Sequence, residues 1–189
     1  MTVQVLALAF AMAVPPAGPV APPVATSDAI DFDGFVADAV EAGAAREGRL
    51  AGLDEFLAMA RDPETVLLDT RSETSYAAMH LAGAVHLSFS DITGESLRRV
   101  LGERGRRVLI YCNNNFVDDV APFPTKAPPA ALNLPTFVAL WTYGYRNVYE
   151  LGELLELDDP RLTFEGSSAL GPGALAAAAQ GPDDGAGAR

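Results

Sequence analysis

Short, continuously apolar runs recur along the central part of this chain. The runs Val66–Leu68, Val108–Tyr111 and Val148–Tyr149 are each bounded by polar or turn-forming residues. Ala84–Leu87 is a fourth short candidate. Short runs without polar alternation are typical of strands that are buried on both faces of a parallel sheet. The pattern therefore predicts at least four short strands.

Segments with helical spacing lie between these strands. Apolar residues recur every three or four positions in residues 53–60, 97–101 and 133–141. Asn133 is placed to cap the last segment, with Pro135 in its first turn. Strands that alternate with helices indicate an α/β domain, here a small parallel β-sheet flanked by helices on both faces.

The amino-terminal residues 1–27 differ from the rest in composition. Val3–Val14 is an apolar run too short to span a bilayer but long enough for a secretory signal, with Ala11–Ala13 as a cleavage sequence. The basic residues expected before such a run are missing, since the first is Arg46. Residues 15–27 read as a Pro/Ala linker. We expect export to the periplasm or beyond; the alternative is an Ala/Pro-rich leader on a cytoplasmic protein.

Two further segments flank the central domain. Residues 28–48 contain apolar positions at helical spacing, which predicts an amino-terminal helical segment. Residues 166–189 are dominated by Gly, Ala, Ser and Pro, which is typical of a disordered tail. The domain itself is therefore assigned to residues 49–165.

Charge and cysteine content narrow the function classes. The formal net charge is -12, and so acidic a surface repels nucleic acid and anionic membranes. The chain has one cysteine and two histidines, which excludes an internal disulfide and gives no cluster with zinc spacing. We expect no metal site and no cofactor.

The single cysteine, Cys112, directly follows the apolar run Val108–Tyr111. Reactive groups in parallel α/β sheets gather at the carboxyl ends of strands, where loops and helix amino termini meet. Backbone N–H groups and a helix dipole at that position favour the thiolate and lower its pKa. The alternative interpretation is a buried cysteine that acts as a small hydrophobic residue. The residues alone leave both interpretations open.

Four blocks of the chain resemble the rhodanese-like family. The first pairs a strand with an Asp-x-Arg signature at Asp69 and Arg71, and the second has Tyr76 before a His-Leu-Ala-Gly-Ala turn that begins at His80. The third ends in Cys112, where the family has its catalytic cysteine. The blocks occur in the family's order between about residues 53 and 152, and they are Val66–Arg71, Tyr76–Leu87, Val108–Cys112 and Gly144–Leu151.

The resemblance implies sulfur transfer. In this family the cysteine thiolate takes the outer sulfur of a donor such as thiosulfate, holds it as a persulfide and passes it to a thiophilic acceptor. The implied partners are a small sulfur-containing anion or thiol, or a protein acceptor. Cys112 is then the catalytic residue. Asp69, Arg71 and His80 are expected to give structural support, with Arg71 paired to a neighbouring carboxylate such as Glu73.

The segment after Cys112 departs from the family pattern. Family members have a short loop that ends in Arg, whereas Asn113–Leu132 is long, contains four prolines and has no Arg. We expect the backbone amides of Asn113, Asn114, Asn115 and Phe116 to bind the anion, with Lys126 as the cation.

Two alternatives to that anion site remain. Cys112 acts on a protein or larger thiol, or the domain is a non-catalytic binding module that uses the Pro-rich loop. The acidic pair Asp118 and Asp119 argues against an ionised thiol, because nearby negative charge raises a thiol pKa. Related cell-cycle phosphatases need a loop Arg to bind phosphate. The lack of one here argues against phosphatase activity.

Overall fold

The computed structural model describes residues 28–117 and 120–169 of the chain. The predicted leader and linker (1–27), the pair Asp118 and Asp119, and the predicted tail from residue 170 onward lie outside the described residues. Within the described ranges, no helix is long and apolar enough to cross a membrane.

A five-stranded parallel sheet forms the centre of the fold. All four pairings between neighbouring strands are parallel. In spatial order the strands are β1 (Leu50–Ala51), β6 (Val148–Leu151), β5 (Arg107–Tyr111), β2 (Thr65–Asp69) and β4 (Val85–His86).

In the described part of the chain, five α-helices connect or flank these strands. A separate two-stranded antiparallel sheet is not hydrogen-bonded to the main sheet. The four predicted strands all belong to the parallel sheet, which confirms the predicted fold class. The sequence pattern did not identify β1, α3 or the antiparallel pair, because all are very short. The helices are α1 (Phe32–Arg46), α2 (Leu53–Ala60), α3 (Glu73–Ala78), α4 (Gly94–Leu101) and α5 (Asn133–Thr142), and the antiparallel pair is β3 (His80–Leu81) with β7 (Phe164–Glu165).

Alternate side chains of the central strands bury themselves on opposite faces of the sheet. Leu67 and Leu109 belong to one apolar cluster, which includes residues of α2. Leu68 and Ile110, one position later, belong to a second cluster with residues of α4 and α5. Helices therefore cover both faces, which explains why the strand sequences show no polar alternation.

Helix α1 lies within the predicted segment 28–48, but its apolar residues do not face the domain. Phe32 and Val40 are 72% and 69% exposed. The side that meets α5 is instead small and polar: Ala42 is buried, and Asp38 accepts a hydrogen bond of 2.7 Å from the hydroxyl of Thr142. The periodicity predicted the helix but not the face that packs.

Helix α5 begins differently from its prediction. Leu132 occupies the cap position and makes no side-chain cap hydrogen bond, and Asn133 is the first helical residue. The prediction that Asn133 caps the helix is therefore wrong; its side chain turns inward to other polar groups. Gly144 follows the helix end with a φ of 87°, a left-handed conformation that glycine adopts without strain.

Candidate active site

Cys112 directly follows β5, between the parallel neighbours β2 and β6 at the carboxyl edge of the sheet. The chain turns there into a short 3-10 segment, Asn113–Asn115. The side chain of Asn115 accepts a hydrogen bond of 2.9 Å from the backbone N–H of Cys112. Cys112 itself is only 1% exposed. The sheet thus presents one buried thiol at the edge where parallel α/β proteins place their reactive groups.

Three backbone amides act on this thiol and lower its pKa. They belong to Asn114, in the turn directly after the strand, and to Leu132 and Asn133, where α5 begins. The donors come from both ends of the long loop, so the loop must return to the sulfur to complete the set. Together they form a small concave site of N–H groups, a structure suited to hold negative charge on sulfur.

The balance of effects on the thiol nevertheless opposes ionisation. Burial raises the pKa of Cys112 and is the largest influence, while the amides of Asn133, Asn114 and Leu132 lower it and the charge of Glu150 raises it further. The sequence analysis expected backbone amides to lower the pKa of this thiol, and they do, but burial has the larger effect and the net direction is upward. The predicted amides and helix start are present, but the cost of desolvating the thiolate exceeds what they return.

The backbone amides of the four residues predicted to bind an anion do not all face the sulfur. The amide of Asn114 is directed at the sulfur, whereas Asn115 donates to the carbonyl of Cys112 at 3.2 Å and Phe116 to that of Asn113 at 3.1 Å. Asn113 is buried, and its side-chain oxygen has no hydrogen-bond partner in the described part of the chain. Phe116 lies in the core with its amide already engaged, so it is not a donor to the sulfur.

Lys126 is brought back to the cysteine turn through its backbone. The side chain of Asn114 donates to the carbonyl of Lys126 at 2.6 Å and accepts from its N–H at 3.2 Å. These two bonds fix the middle of the Pro-rich loop against the residue that donates to the sulfur. The side chain of Lys126 is exposed.

Arg71 anchors another part of the same loop from below. Its guanidinium pairs with Asp69 at 2.6 Å and donates to the carbonyl of Pro122 at 2.7 Å. It also lies 4.1 Å from the ring centroid of Phe123, which is fully buried. The predicted partner Glu73 is therefore wrong. Asp69 takes that place, because it projects from the end of β2 into the same buried space.

His80 lies beside this cluster but does not face the backbone amides near the sulfur of Cys112. Its Nδ1 is 2.6 Å from the carbonyl oxygen of Tyr76, and its ring stacks on that of Tyr76 with centroids 3.7 Å apart. Its other nitrogen lies 3.5 Å from Glu165 on β7. These contacts join α3 to the small antiparallel pair.

Sequence reasoning missed the polar network that supports the cysteine turn. Asn133 donates to the side chain of Asn115 at 3.1 Å and to Glu150 at 3.2 Å. Glu150 is 5% exposed and lies on β6, within an otherwise apolar run. A charged residue inside a buried strand is costly without a partner. The position of Glu150 in the sequence could therefore have indicated a buried polar network.

An apolar cavity of about 340 Å³ opens beside the Pro-rich loop, between that loop and α3. Neither Cys112 nor any of its three amide donors lines it. No cluster of three or more potential metal ligands occurs among the residues that the structure describes. The residues that line the cavity include Thr74, Ser75, Met79, Val120, Ala121 and Pro122.

The fold is a parallel α/β sheet with a cysteine at its carboxyl edge, and both ends of the long loop after that cysteine lie near its thiol. A family comparison makes this specific: residues 52–152 match the rhodanese-like domain. The match covers more than half of the chain, and the chain belongs to the rhodanese-like family.

Solved structures with similarity to this chain include proteins of two bacteria. The BH2092 protein from Bacillus halodurans is 14% identical, with a TM-score of 0.46 over 70% of this chain and 88% of that one. The Alr3790 protein from Anabaena sp. is 20% identical, with a TM-score of 0.43 over 61% and 91%. The Rhodanese_3 like domain of Alr3790 is 19% identical, with a TM-score of 0.38 over 54% and 92%. No protein with a curated description matches.

Proposed function

We propose that this protein is a sulfurtransferase that carries sulfane sulfur on Cys112. In the first step the thiolate attacks the outer sulfur of a thiosulfate-like donor. A new S–S bond forms, the donor's S–S bond breaks, and its electron pair leaves with sulfite. In the second step a thiophilic acceptor attacks the outer sulfur of the persulfide, and the electron pair of that S–S bond returns to Cys112 as thiolate. Two easier displacements thus replace one transfer.

The single observation that carries this proposal is the convergence of three N–H groups on the sulfur. A cysteine that only fills space in a core has no use for such donors, and their dipoles stabilise a sulfur anion in the thiolate and in the persulfide. The arrangement replaces the missing loop arginine with amides alone. Lys126 is then the cation closest in the loop to the donor Asn114, and it assists anion capture.

A binding module without catalysis is the second candidate, and two observations favour it. The sulfur is buried with a raised pKa, which keeps most of it protonated at neutral pH. The cavity between α3 and the Pro-rich loop is lined mainly by apolar surface, which suits a peptide or another apolar partner. In this case Cys112 would be structural.

Mass spectrometry separates the two candidates, because the chain has one cysteine. We expect wild-type protein incubated with thiosulfate to gain the mass of one sulfur atom and to lose it on addition of cyanide, with thiocyanate released. Cys112→Ser must show neither change. If the wild-type mass stays unchanged and thiocyanate forms at the same background rate in both proteins, the sulfurtransferase proposal fails and the binding module stands.

A further inference from the structure

A continuous line of hydrogen bonds runs from the cysteine turn to a helix outside the family-matched region. It starts at the N–H of Cys112, passes through the side chains of Asn115 and Asn133, and reaches Glu150. Glu150 is held by Arg46, the last residue of α1, through contacts of 2.5 and 2.7 Å. Residue 46 lies before the matched residues 52–152.

The charges along this line affect the sulfur in opposite ways. Among the described residues, Glu150 is the charged group that acts on the thiol, and its negative charge opposes ionisation. Arg46 binds both oxygens of that carboxylate, the bidentate geometry in which an arginine is most effective. Its positive charge offsets that of Glu150, whose carboxylate is buried and therefore only weakly screened by water.

The same pair fixes the direction of an amide donor to the sulfur. Glu150, held by Arg46, accepts a hydrogen bond from the side chain of Asn133, whose backbone N–H donates to the sulfur of Cys112. Asn115 is locked on its other side by donating to the carbonyls of Leu151 and Glu153 at 2.8 and 3.2 Å. Both ends of the donor set therefore depend on groups attached to β6.

We propose that Arg46 is a positioning residue for Cys112: it neutralises Glu150 and, through Asn133 and Asn115, keeps the sulfur able to ionise. This inference rests on the proposed sulfur chemistry for its purpose, but its test does not need sulfur transfer. Arg46 contacts the carboxylate of Glu150 and acts through it. Other charged groups on the neighbouring elements include Asp69 and Arg71 at the end of β2, Glu153 after β6 and Lys126 on the loop. The variants below leave all four intact.

The test measures the alkylation rate of Cys112 by iodoacetamide between pH 7 and 10 in the full chain. In Arg46→Met we expect the rate at pH 8 to fall roughly three- to tenfold, because Glu150 is left uncompensated. Glu150→Gln alone should raise the rate, and Arg46→Met combined with Glu150→Gln should return it to the wild-type value or above. The matched control is Arg107→Met, since Arg107 is 32% exposed against 30% for Arg46 and pairs with Asp62 beside the amino-terminal end of β2.

The outcomes separate this inference from the proposed function. A fall in Arg46→Met that the double variant reverses supports the positioning role, even when no sulfur is transferred. An unchanged alkylation rate in correctly folded Arg46→Met overturns it, whatever the sulfurtransferase assay shows. If Arg46→Met fails to fold, the comparison of Glu150→Gln with wild type decides, because an unchanged or lower rate there also overturns the inference.

Discussion

The cysteine turn and its loop are held from two sides by two ion pairs of different construction. On one side, Asp69 and Arg71 are almost completely buried. Arg71 donates further hydrogen bonds to the carbonyls of Pro122 and Met79. On the other side, Arg46 is 30% exposed and spends its contacts on Glu150. The Asp69–Arg71 pair holds backbone segments in place. The Arg46–Glu150 pair sets the charge near the sulfur of Cys112.

This difference teaches that one ionic arrangement can serve structure while the other serves reactivity. Arg71 reaches carbonyls of the loop and of Met79, directly after α3, and Tyr111 donates to Asp69 at 2.5 Å, so the group forms a buried network. Burial raises the pKa of Tyr111 well above its usual value, with Asp69 adding to the effect. Among the described residues, the charge that acts on the thiol of Cys112 is that of Glu150, on the opposite side.

The largest expected effect comes from breaking the buried pair. Arg71→Met leaves the carboxylate of Asp69 without its cation, and we expect a loss of about 3–5 kcal/mol in the free energy of unfolding by urea. Arg107→Met, at a half-exposed pair, should cost about 1 kcal/mol or less. Equal losses in the two variants would contradict the structural role of the Asp69 side.

A second prediction compares two neighbouring asparagines. The side chain of Asn115 is buried and joins Cys112, Asn133, Leu151 and Glu153, so Asn115→Ala leaves several polar groups unpaired. We expect it to lower the free energy of unfolding by about 2–3 kcal/mol.

Asn114→Ala is the matched control for that experiment. It removes only the partly exposed contacts with Lys126, and we expect a loss of about 1 kcal/mol or less in the same urea titration. A larger loss in Asn114→Ala than in Asn115→Ala would show that the loop contact, not the polar network, holds the turn.

The third prediction concerns pH. Since burial raises the pKa of Cys112, the folded protein holds this proton more tightly than the unfolded chain. The resulting stabilisation is complete below the unfolded pKa of roughly 8.5 and is lost as pH rises through the folded value. The free energy of unfolding should therefore fall more steeply above that pH in wild type than in Cys112→Ser.

The serine variant isolates the thiol from other groups that titrate in alkali. Tyr76, Tyr111 and Tyr145 also have raised pKa values, and all three remain in both proteins. Their contribution cancels in the difference between the two stability curves. Parallel curves from pH 8 to 10 would mean that the thiol is not held in its protonated form by the fold.

The smallest expected effect is at Lys126. Its exposed charge is screened by salt, so Lys126→Gln should raise the thiosulfate KM only about twofold at low ionic strength and not at all near 1 M salt. Stability should not change, because the contacts of Lys126 with Asn114 are made by the backbone. A KM difference that persists in high salt would point to a direct contact rather than to long-range charge.

Much of the fold could be predicted from local patterns. The strands around Leu67 and Leu109 are short apolar runs, which predict strands buried on both faces of a parallel sheet, and β2 and β5 pair in parallel in the structure. The Asp-x-Arg signature also identified Asp69 and Arg71, although the sequence analysis expected Arg71 to pair with Glu73. Asp69 ends β2 and Arg71 follows two positions later, so their closeness in sequence makes contact between them predictable.

The support beneath the sulfur could not be predicted in the same way. Arg46 and Glu150 are 104 positions apart, and their contact exists only because α1 packs on α5 near the end of β6. The sign of the pKa change was also beyond the sequence, since it depends on how deeply Cys112 is buried. Among the described residues, the amides of Leu132 and Asn133 reach it only because a loop of about twenty residues returns to the sheet.

The placement of Arg46 has a practical consequence for anyone who shortens this protein. A fragment cut at the boundaries of the matched region, residues 52–152, would retain the sheet centre, the cysteine and its three donors. It would also discard the counter-ion of Glu150 together with edge strand β1. Weak thiol reactivity in such a trimmed fragment would then reflect the loss of Arg46 and β1 rather than the properties of the intact protein.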